Sequence, residues 1–319
     1  MYLGSVRVAS RHLMLDRLAL RKQVVEGNVR MPVPDNSKGE KYKSFKGLLM
    51  LTLLFLMSSL SIRAEESCLH TLVSSTTRDQ QKVFSPRRAV EHPLVAPLKL
   101  TRRCAESYEE INDYSAVFVS RERIDGKLKP TNYMLLKFRE FPFSVYLKWL
   151  KPHAGREAIF VEGRNRGKLL VHETGIKDAI AGTLKLDPHG RRVKRNSRHA
   201  ITEAGIGRMI QTMQTTWNRE LIYQGMDVKL FKNAQVNQRP CIAIQIYHPE
   251  PKREFAFCLT KVYIDQELKV PIRIESYDWP RRRGVNPVLV ESYTYTNLKL
   301  NMGFTDIDFD VRNPRYSFR

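Results

Sequence analysis

The sequence lacks the short motifs that mark most enzyme, metal and nucleotide sites. Its 319 residues contain no His-Glu-x-x-His pair, no Gly-x-Ser-x-Gly elbow and no Walker phosphate loop. Gly205 and Gly207 have no third glycine at the spacing of a dinucleotide loop, and no βαβ pattern surrounds them. The eight histidines form no close ligand pair on one predicted element. We therefore predict a non-enzymatic protein with no metal site and no cofactor.

Cysteine is scarce, with Cys68, Cys104, Cys241 and Cys258 as the four examples. Their spacing fits no zinc pattern. Cys241 and Cys258 flank the polar stretch HPEPKR at 248–253, so a hairpin there would place the two nearly opposite each other. The sequence therefore allows a disulfide between Cys241 and Cys258, with two buried thiols as the alternative.

Apolar runs are too short to cross a bilayer as a helix. The uncharged stretch at 47–62 has 16 residues, whereas a spanning helix needs about 20. It follows a lysine cluster at 41–46 and precedes Ala64, a small residue at a cleavage position. This pattern is typical of a secretory signal peptide. We predict a signal peptide at 41–64 and an exported, periplasmic protein, with a signal-anchored inner-membrane protein as the alternative.

The predicted signal peptide divides the rest of the chain into segments of different character. Residues 1–40 show no domain pattern, and we interpret them as a start-site artefact or a disordered extension. Residues 65–91 are polar and patternless, which is typical of a linker. The remaining stretch, 92–319, is not interrupted by a long linker, so we predict that it forms a single domain.

Acidic residues are a minority, with 33 Asp and Glu against 54 Lys and Arg and a net charge of +21. Residues 1–64 hold 11 basic and 4 acidic side chains, which leaves 43 and 29, or +14, for the rest. This balance favours anionic partners such as an anionic membrane surface, and because we predict export we expect no nucleic acid. A solvated basic surface is the competing interpretation. The densest basic stretch is a predicted anion-binding loop with Arg191, Arg192, Lys194, Arg195 and Arg198.

Two hydrophobic periods alternate along 92–319. Helical spacing begins at His92 and returns at 201–221, where apolar residues share one helix face. About five alternating stretches lie between these helices, and five or six follow the second. We predict an α+β fold in which a large curved antiparallel sheet, a half-open β-barrel of about 10 to 11 strands, carries helices packed on its concave face.

Aromatic and aliphatic residues are concentrated on one face of the first group of strands. The stretch FREFPFSVYLKWL at 138–150 illustrates the period of two. If the helices leave the concave face incompletely filled, these side chains line an apolar ligand cavity. If the helices fill it, the same residues form an ordinary core. The candidates are Phe118, Met134, Leu136, Phe138, Phe143, Val145, Leu147, Trp149 and Phe160.

Long phrases in this region resemble a family of exported bacterial proteins known as domain of unknown function 1571. The phrases are YSAVFVSRERIDGKL (114–128), PFSVYLKWLKPHAGREAIFVEGRN (142–165), LDPHG (186–190), RHAITEAGIG (198–207), ESYDWP (275–280) and ESYTYTNLKLNMGFTDIDF (291–309). The resemblance spans about 92–310. The order of elements is also similar to the periplasmic lipoprotein carriers and receptors (LolA/LolB-like). That likeness implies a half-open barrel, covered by helices, that takes acyl chains.

Three functions remain open. The leading hypothesis is a carrier or binding protein for a lipid-like or acylated ligand, such as a lipoprotein, in the cell envelope. The second is a structural or interaction protein of the envelope whose basic loops bind anionic polymer or lipid headgroups. The third is a hydrolase with two facing carboxylates. Its candidates are Glu122, Glu140, Glu157 and Glu162, although each has an arginine nearby and ordinary ion pairing explains them better.

Overall fold

Apart from one short strand, the described part of the chain begins at Glu91, the last residue of the predicted linker. The computed structural model describes residues 29–30, 91–175, 182–282 and 284–318. The predicted signal peptide at 41–64, nearly all of residues 1–40 and 65–91, and Cys68 lie outside these residues. The described residues belong to one compact unit.

Three α-helices occur in the described residues: α1 (Val95–Tyr108), α2 (Arg191–Lys194) and α3 (Ile206–Glu220). The long helices α1 and α3 confirm the two predicted helical stretches, with narrower bounds. Helix α3 buries Ile206, Ile210, Met213 and Trp217, which recur at intervals of three and four residues. This spacing places them on one side of the helix and makes that side the one that faces the core.

The remainder of the described chain is mostly strand. The strands are β1 (Val29–Arg30), β2 (Asp113–Ile124), β3 (Lys127–Leu128), β4 (Asn132–Arg139), β5 (Ser144–Lys151), β6 (Glu157–Val161), β7 (Leu169–His172), β8 (Thr183–Leu186), β9 (Asp227–Val236), β10 (Arg239–Tyr247), β11 (Leu259–Asp265), β12 (Pro271–Asp278) and β13 (Val288–Leu300). Short 3-10 turns lie at Asn165–Gly167, Ile201–Glu203 and Asp306–Phe309.

Twelve strands form one antiparallel sheet in the order β1-β9-β10-β11-β12-β13-β2-β4-β5-β6-β7-β8, and β3 pairs with β2 beside this path. The sheet is not closed, because β1 and β8 at its two ends do not pair with each other. The predicted antiparallel sheet is confirmed, but the predicted number of strands is too low. The additional strands β1, β3 and β8 have two to four residues each, too few to show an alternation in the sequence.

One face of the sheet and the two long helices share a single apolar core. The buried residues of α1 and α3 belong to the same cluster as Phe138, Val145 and Phe160 from the strands. We call this side of the sheet the core face. Burial of this cluster supplies the main driving force for folding, at about 25 cal/mol per Å² of apolar surface removed from water.

The opposite face of β5 and β6 is covered by the C-terminal segment, residues 301–318. Tyr146, Ile159 and Val161 form a second buried cluster with Phe309 from this segment. The ring of Tyr316 stacks on Tyr146 with 4.1 Å between their centroids. The second, half-apolar face of β5 is thus explained, because the chain end buries it.

The predicted disulfide is wrong. Strands β10 and β11 do form the expected hairpin, but Cys241 pairs in register with Asp265, whereas Cys258 precedes the Tyr247–Leu259 pair at the other end. Six residues of strand separate these ends by roughly 20 Å, and a disulfide needs Cα atoms within about 7 Å. Cys241 and Cys258 are both free and buried, which agrees with the alternative of buried thiols.

Candidate ligand-binding site

The backbone register brings the nine predicted apolar residues together on the core face. The cross-strand pairs are Phe118–Met134, Met134–Trp149, Leu136–Leu147, Phe138–Val145 and Val145–Phe160. Phe143 directly precedes β5, and its ring lies 5.4 Å from that of Phe138 and 6.0 Å from that of Phe160. The alternation read from the sequence therefore assigned these side chains to the correct face.

Six of these nine residues are buried, namely Met134, Leu136, Phe138, Phe143, Val145 and Phe160, and the other three are partly exposed. On β5, Val145 is completely buried, whereas Leu147 and Trp149 are partly exposed. On β2, Tyr114 is completely buried and Phe118 is partly exposed. We call Phe118, Leu147 and Trp149 the apolar strip. These side chains pack against the core cluster but keep contact with solvent.

Helix α3 meets the completely buried end of the same face through a close contact that depends on glycine. Gly205 precedes the helix at φ +115°, and a Cβ atom there would lie 2.6 Å from the ring of Phe138. A Cβ atom on Gly207 would lie 2.5 Å from the ring of Tyr108 on α1. The Ile206 N–H donates to the buried hydroxyl of Tyr114 at 3.0 Å. The two glycines therefore allow close packing of α3 on Phe138 and Tyr108. This packing explains the glycines without a nucleotide site.

A polar cluster lies on the core face beyond the apolar strip. It consists of Glu122, Arg198, His199, Glu291 and Tyr293. Glu122 on β2 and Glu291 on β13 are directly opposite each other. Arg198 Nε donates to Glu291 at 2.9 Å, and His199 Nε2 lies 3.0 Å from the same carboxylate. The Tyr293 hydroxyl donates to Glu122 at 2.5 Å.

The cations of this cluster offset the repulsion between its two carboxylates. The hydrogen bond to Glu291 raises the pKa of His199 to about 9, so its imidazole is protonated at neutral pH. Burial alone would raise the pKa of Glu291, but the hydrogen bonds from His199 and Arg198 lower it. Burial raises the pKa of Glu122. The cluster thereby holds residues 187–205, which we call the connector, against β2 and β13.

The four carboxylates considered for hydrolysis have separate roles. Glu157 is completely buried and accepts from Lys148 Nζ at 2.7 Å, across the β5–β6 pair, and from the Ser317 N–H at 2.8 Å. Glu140 accepts from the hydroxyl of Tyr108, and Glu162 is exposed. Glu122 faces Glu291, which the sequence did not single out, and both carboxylates are already engaged by hydrogen bonds.

The predicted anion-binding loop divides into two parts. Arg191, Lys194 and Arg195, together with Asp125 from the end of β2, line a depression of about 260 Å³, which we call the basic depression. Arg192 is exposed beside it, whereas Arg198 forms an ion pair with Glu291 and does not line the depression. Val193, between the charged residues, packs on the apolar core.

Neither a metal centre nor a membrane-spanning helix is found in the described residues. Within 91–175, 182–282 and 284–318, no group of three or more His, Cys, Asp or Glu side chains could hold a metal ion. In the same part of the chain, every helix is too short or too polar to cross a bilayer.

One protein-family model matches most of the described domain. Residues 111–318 match the family model described as a protein of unknown function, DUF1571. The chain belongs to the DUF1571 family. The predicted family is therefore confirmed. No curated protein matches this DUF1571 member in sequence.

Solved structures similar to this DUF1571 protein include LolA-like proteins, as predicted. MucB of Pseudomonas aeruginosa, solved in complex with MucA, is 14% identical with a TM-score of 0.37, and the match covers 67% of this chain and 60% of MucB. A LolA superfamily protein from Nitrosomonas europaea is 10% identical with a TM-score of 0.29, covering 66% of this chain and 96% of its own. The lipoprotein LppX of Mycobacterium tuberculosis is 12% identical with a TM-score of 0.39, covering 67% and 98%. The chain thus spans about 60% of MucB.

Proposed function

We propose that this protein is an exported, non-enzymatic carrier that binds the acyl chain of a lipid-like or acylated ligand against the core face. The observation that carries the proposal is the apolar strip: Phe118, Leu147 and Trp149 continue a completely buried face into a region that solvent reaches. Leu147 and Trp149 lie on β5 and Phe118 lies on β2, with the buried Met134 and Leu136 of β4 between them in register. Together these side chains offer an apolar surface for an alkyl chain.

The energy of such binding follows from burial of methylene groups. Each CH₂ moved from water to an apolar surface contributes about 0.8 kcal/mol, so eight of them contribute roughly 6 kcal/mol before the loss of ligand freedom. In this proposal, helix α3 is the lid, because it packs on the core cluster against which the apolar strip also packs. The signal-peptide pattern at 41–64 supports export.

The test is ligand binding with a matched pair of variants. Purified protein is analysed by native mass spectrometry and by lipid extraction, and displacement of a fluorescent fatty acid is then measured. Leu147→Arg places a charge in the apolar strip, and we expect at least a tenfold loss of affinity. Leu135→Arg, at a 36% exposed position on the opposite face of β4, should bind like the parent protein.

Trp149→Ala provides a second variant in case Leu147→Arg does not fold. The carrier hypothesis is rejected if no lipid is recovered, no fatty acid is displaced and Leu147→Arg behaves like Leu135→Arg.

The second candidate is an envelope interaction protein that binds an anionic polymer. It is supported by Arg191, Arg192, Lys194 and Arg195, which are exposed. In this case binding to wall polymer decreases steeply with salt and is lost when these residues are neutralised, whereas Leu147→Arg has no effect.

A further inference from the structure

The basic depression has an unusual charge balance for a protein surface. Arg191, Lys194 and Arg195 are exposed, and within the described residues their side chains have no ion-pair partner. Asp125 is the acidic residue that lines the same depression. The three cations and one carboxylate that line the depression sum to +2, and Arg192 adds a further positive charge beside it. A phosphomonoester carries about −1.5 to −2 at pH 7, so it matches this charge more closely than a monoanionic diester does.

The backbone that carries the cations is packed on the fold before any ligand arrives. Helix α2 is fixed at its start by hydrogen bonds from the Val193 and Lys194 N–H groups to the Gly190 carbonyl. Val193 anchors the helix on the core, and the connector is bound further along by Arg198 to Glu291. A backbone that is already held loses less conformational entropy on binding than a mobile loop does.

The size and position of the depression narrow the choice of ligand. A volume of about 260 Å³ lies below the roughly 300–1,000 Å³ of pockets that enclose whole drug-sized molecules, so it fits a single headgroup. Asp125 directly follows β2, and along that strand the apolar strip begins at Phe118. The depression therefore lies beyond Phe118 along β2, with the buried Ser120, Glu122 and Ile124 between them on the same face.

We propose that Arg191, Lys194 and Arg195 form a binding site for a phosphomonoester group, presented by the headgroup of an anionic lipid at a membrane surface. The phosphate chemistry is derived from the charge and geometry of the depression. The choice of a lipid as its source rests on the proposed function. Arginine forks and the lysine ammonium donate to the phosphate oxygens, and Asp125 limits the affinity and selects a dianion.

Vesicle binding tests this site. Vesicles of phosphatidylcholine with phosphatidic acid are compared with vesicles that hold enough phosphatidylglycerol to give the same surface charge. The variant R191Q/K194Q/R195Q should bind phosphatidic acid vesicles about a hundredfold more weakly. The control K229Q/K232Q/R281Q removes the same charge from exposed positions elsewhere, and it should change binding by less than about threefold.

Two further measurements separate the alternatives. Asp125→Asn should tighten binding about fivefold, and asparagine suits its φ of +50°. Equal binding to both lipids at equal surface charge, or equal losses in the two triple variants, overturns the phosphomonoester site. Inorganic phosphate that binds the parent protein as tightly as the vesicles do overturns the lipid source in favour of a soluble anion.

Fatty-acid displacement in the same variants separates this inference from the proposed function. R191Q/K194Q/R195Q should retain fatty-acid binding. If all variants fail to bind fatty acid but vesicle binding still follows the predicted order, the carrier function is rejected and the phosphate site stands.

Discussion

Replacing Glu291 with glutamine tests whether the polar cluster holds the connector on the sheet. The side chain of Glu291 is 8% exposed, and its carboxylate receives hydrogen bonds from Arg198 and His199 and lies 3.3 Å from the Ser276 hydroxyl. Glutamine keeps the shape but removes the charge, and its NH₂ group faces donors. Hydrogen bonds to a charged group contribute about 1.5–3 kcal/mol each.

Two effects reduce the stability lost in Glu291→Gln. Arg198 and His199 have side chains that are 35% and 47% exposed, so water partly replaces the missing carboxylate. The substitution also removes the repulsion between Glu291 and Glu122. We therefore expect a decrease of about 2 kcal/mol in the free energy of unfolding, measured by urea denaturation. Amide hydrogen exchange should increase in the connector before it increases in the strands.

The pH dependence of the free energy of unfolding tests the contact between His199 and Glu291 independently. The pKa of His199 is raised from its ordinary value of 6.5 to about 9. Its contribution to stability is therefore complete below pH 6.5 and is lost as the pH rises through about 9. After allowance for its exposure, this contribution is about 1 kcal/mol. Glu291→Gln should flatten the stability profile between these pH values, because the pKa of His199 falls back toward 6.5.

Glu203→Gln is the matched control. Glu203 lies 3.1 Å from the other ring nitrogen of His199, but its side chain is 54% exposed, so its loss should change stability by at most about 0.5 kcal/mol. If Glu291→Gln matches the parent protein within about 0.5 kcal/mol over the whole pH range, the cluster does not hold the connector.

Two further predictions concern glycine and cysteine. Gly205→Ala should destabilise the protein by about 2–4 kcal/mol in chemical denaturation, because it adds both backbone strain and a clash with Phe138. Gly225→Ala, at φ +86° with no atom near its Cβ, should lose only about 1 kcal/mol from strain, and equal losses would contradict the close contact. Burial raises the pKa of Cys241 to about 12, so its thiol should resist iodoacetamide at pH 8 in the native protein and react after denaturation without reductant. Recovery of a peptide pair linked through Cys241 and Cys258 would refute this.

The elements with clear periodicity could be predicted from the sequence, and so could the face that their side chains occupy. The alternation of Val145, Leu147 and Trp149 assigned these residues to the core face because the β period of two is a local property. The position of α3 followed from the spacing of its apolar residues in the same way. Strand β8 was missed because four residues carry too little periodic signal.

The candidate site was predicted only in part, because the register of the strands decides which polar residues meet there. Tyr293 and Glu122 are 171 positions apart in the chain and meet because β13 pairs with β2. No local pattern reports such a pairing, although His199 and Glu291 lie in phrases shared with the family. The disulfide prediction failed for the same reason: a hairpin was expected correctly, but its register pairs Cys241 with Asp265, seven positions beyond Cys258.

The C-terminal segment has a consequence for how a guest molecule could enter and leave. Residues 301–318 cover the outer face of β5 and β6, and Lys137 and Arg139 of β4 pair with Asp308 and Asp306 of this segment. Strands β5 and β6 are therefore packed on both faces. In the proposed carrier, a ligand would therefore reach β5 and β6 only from the side on which the helices pack.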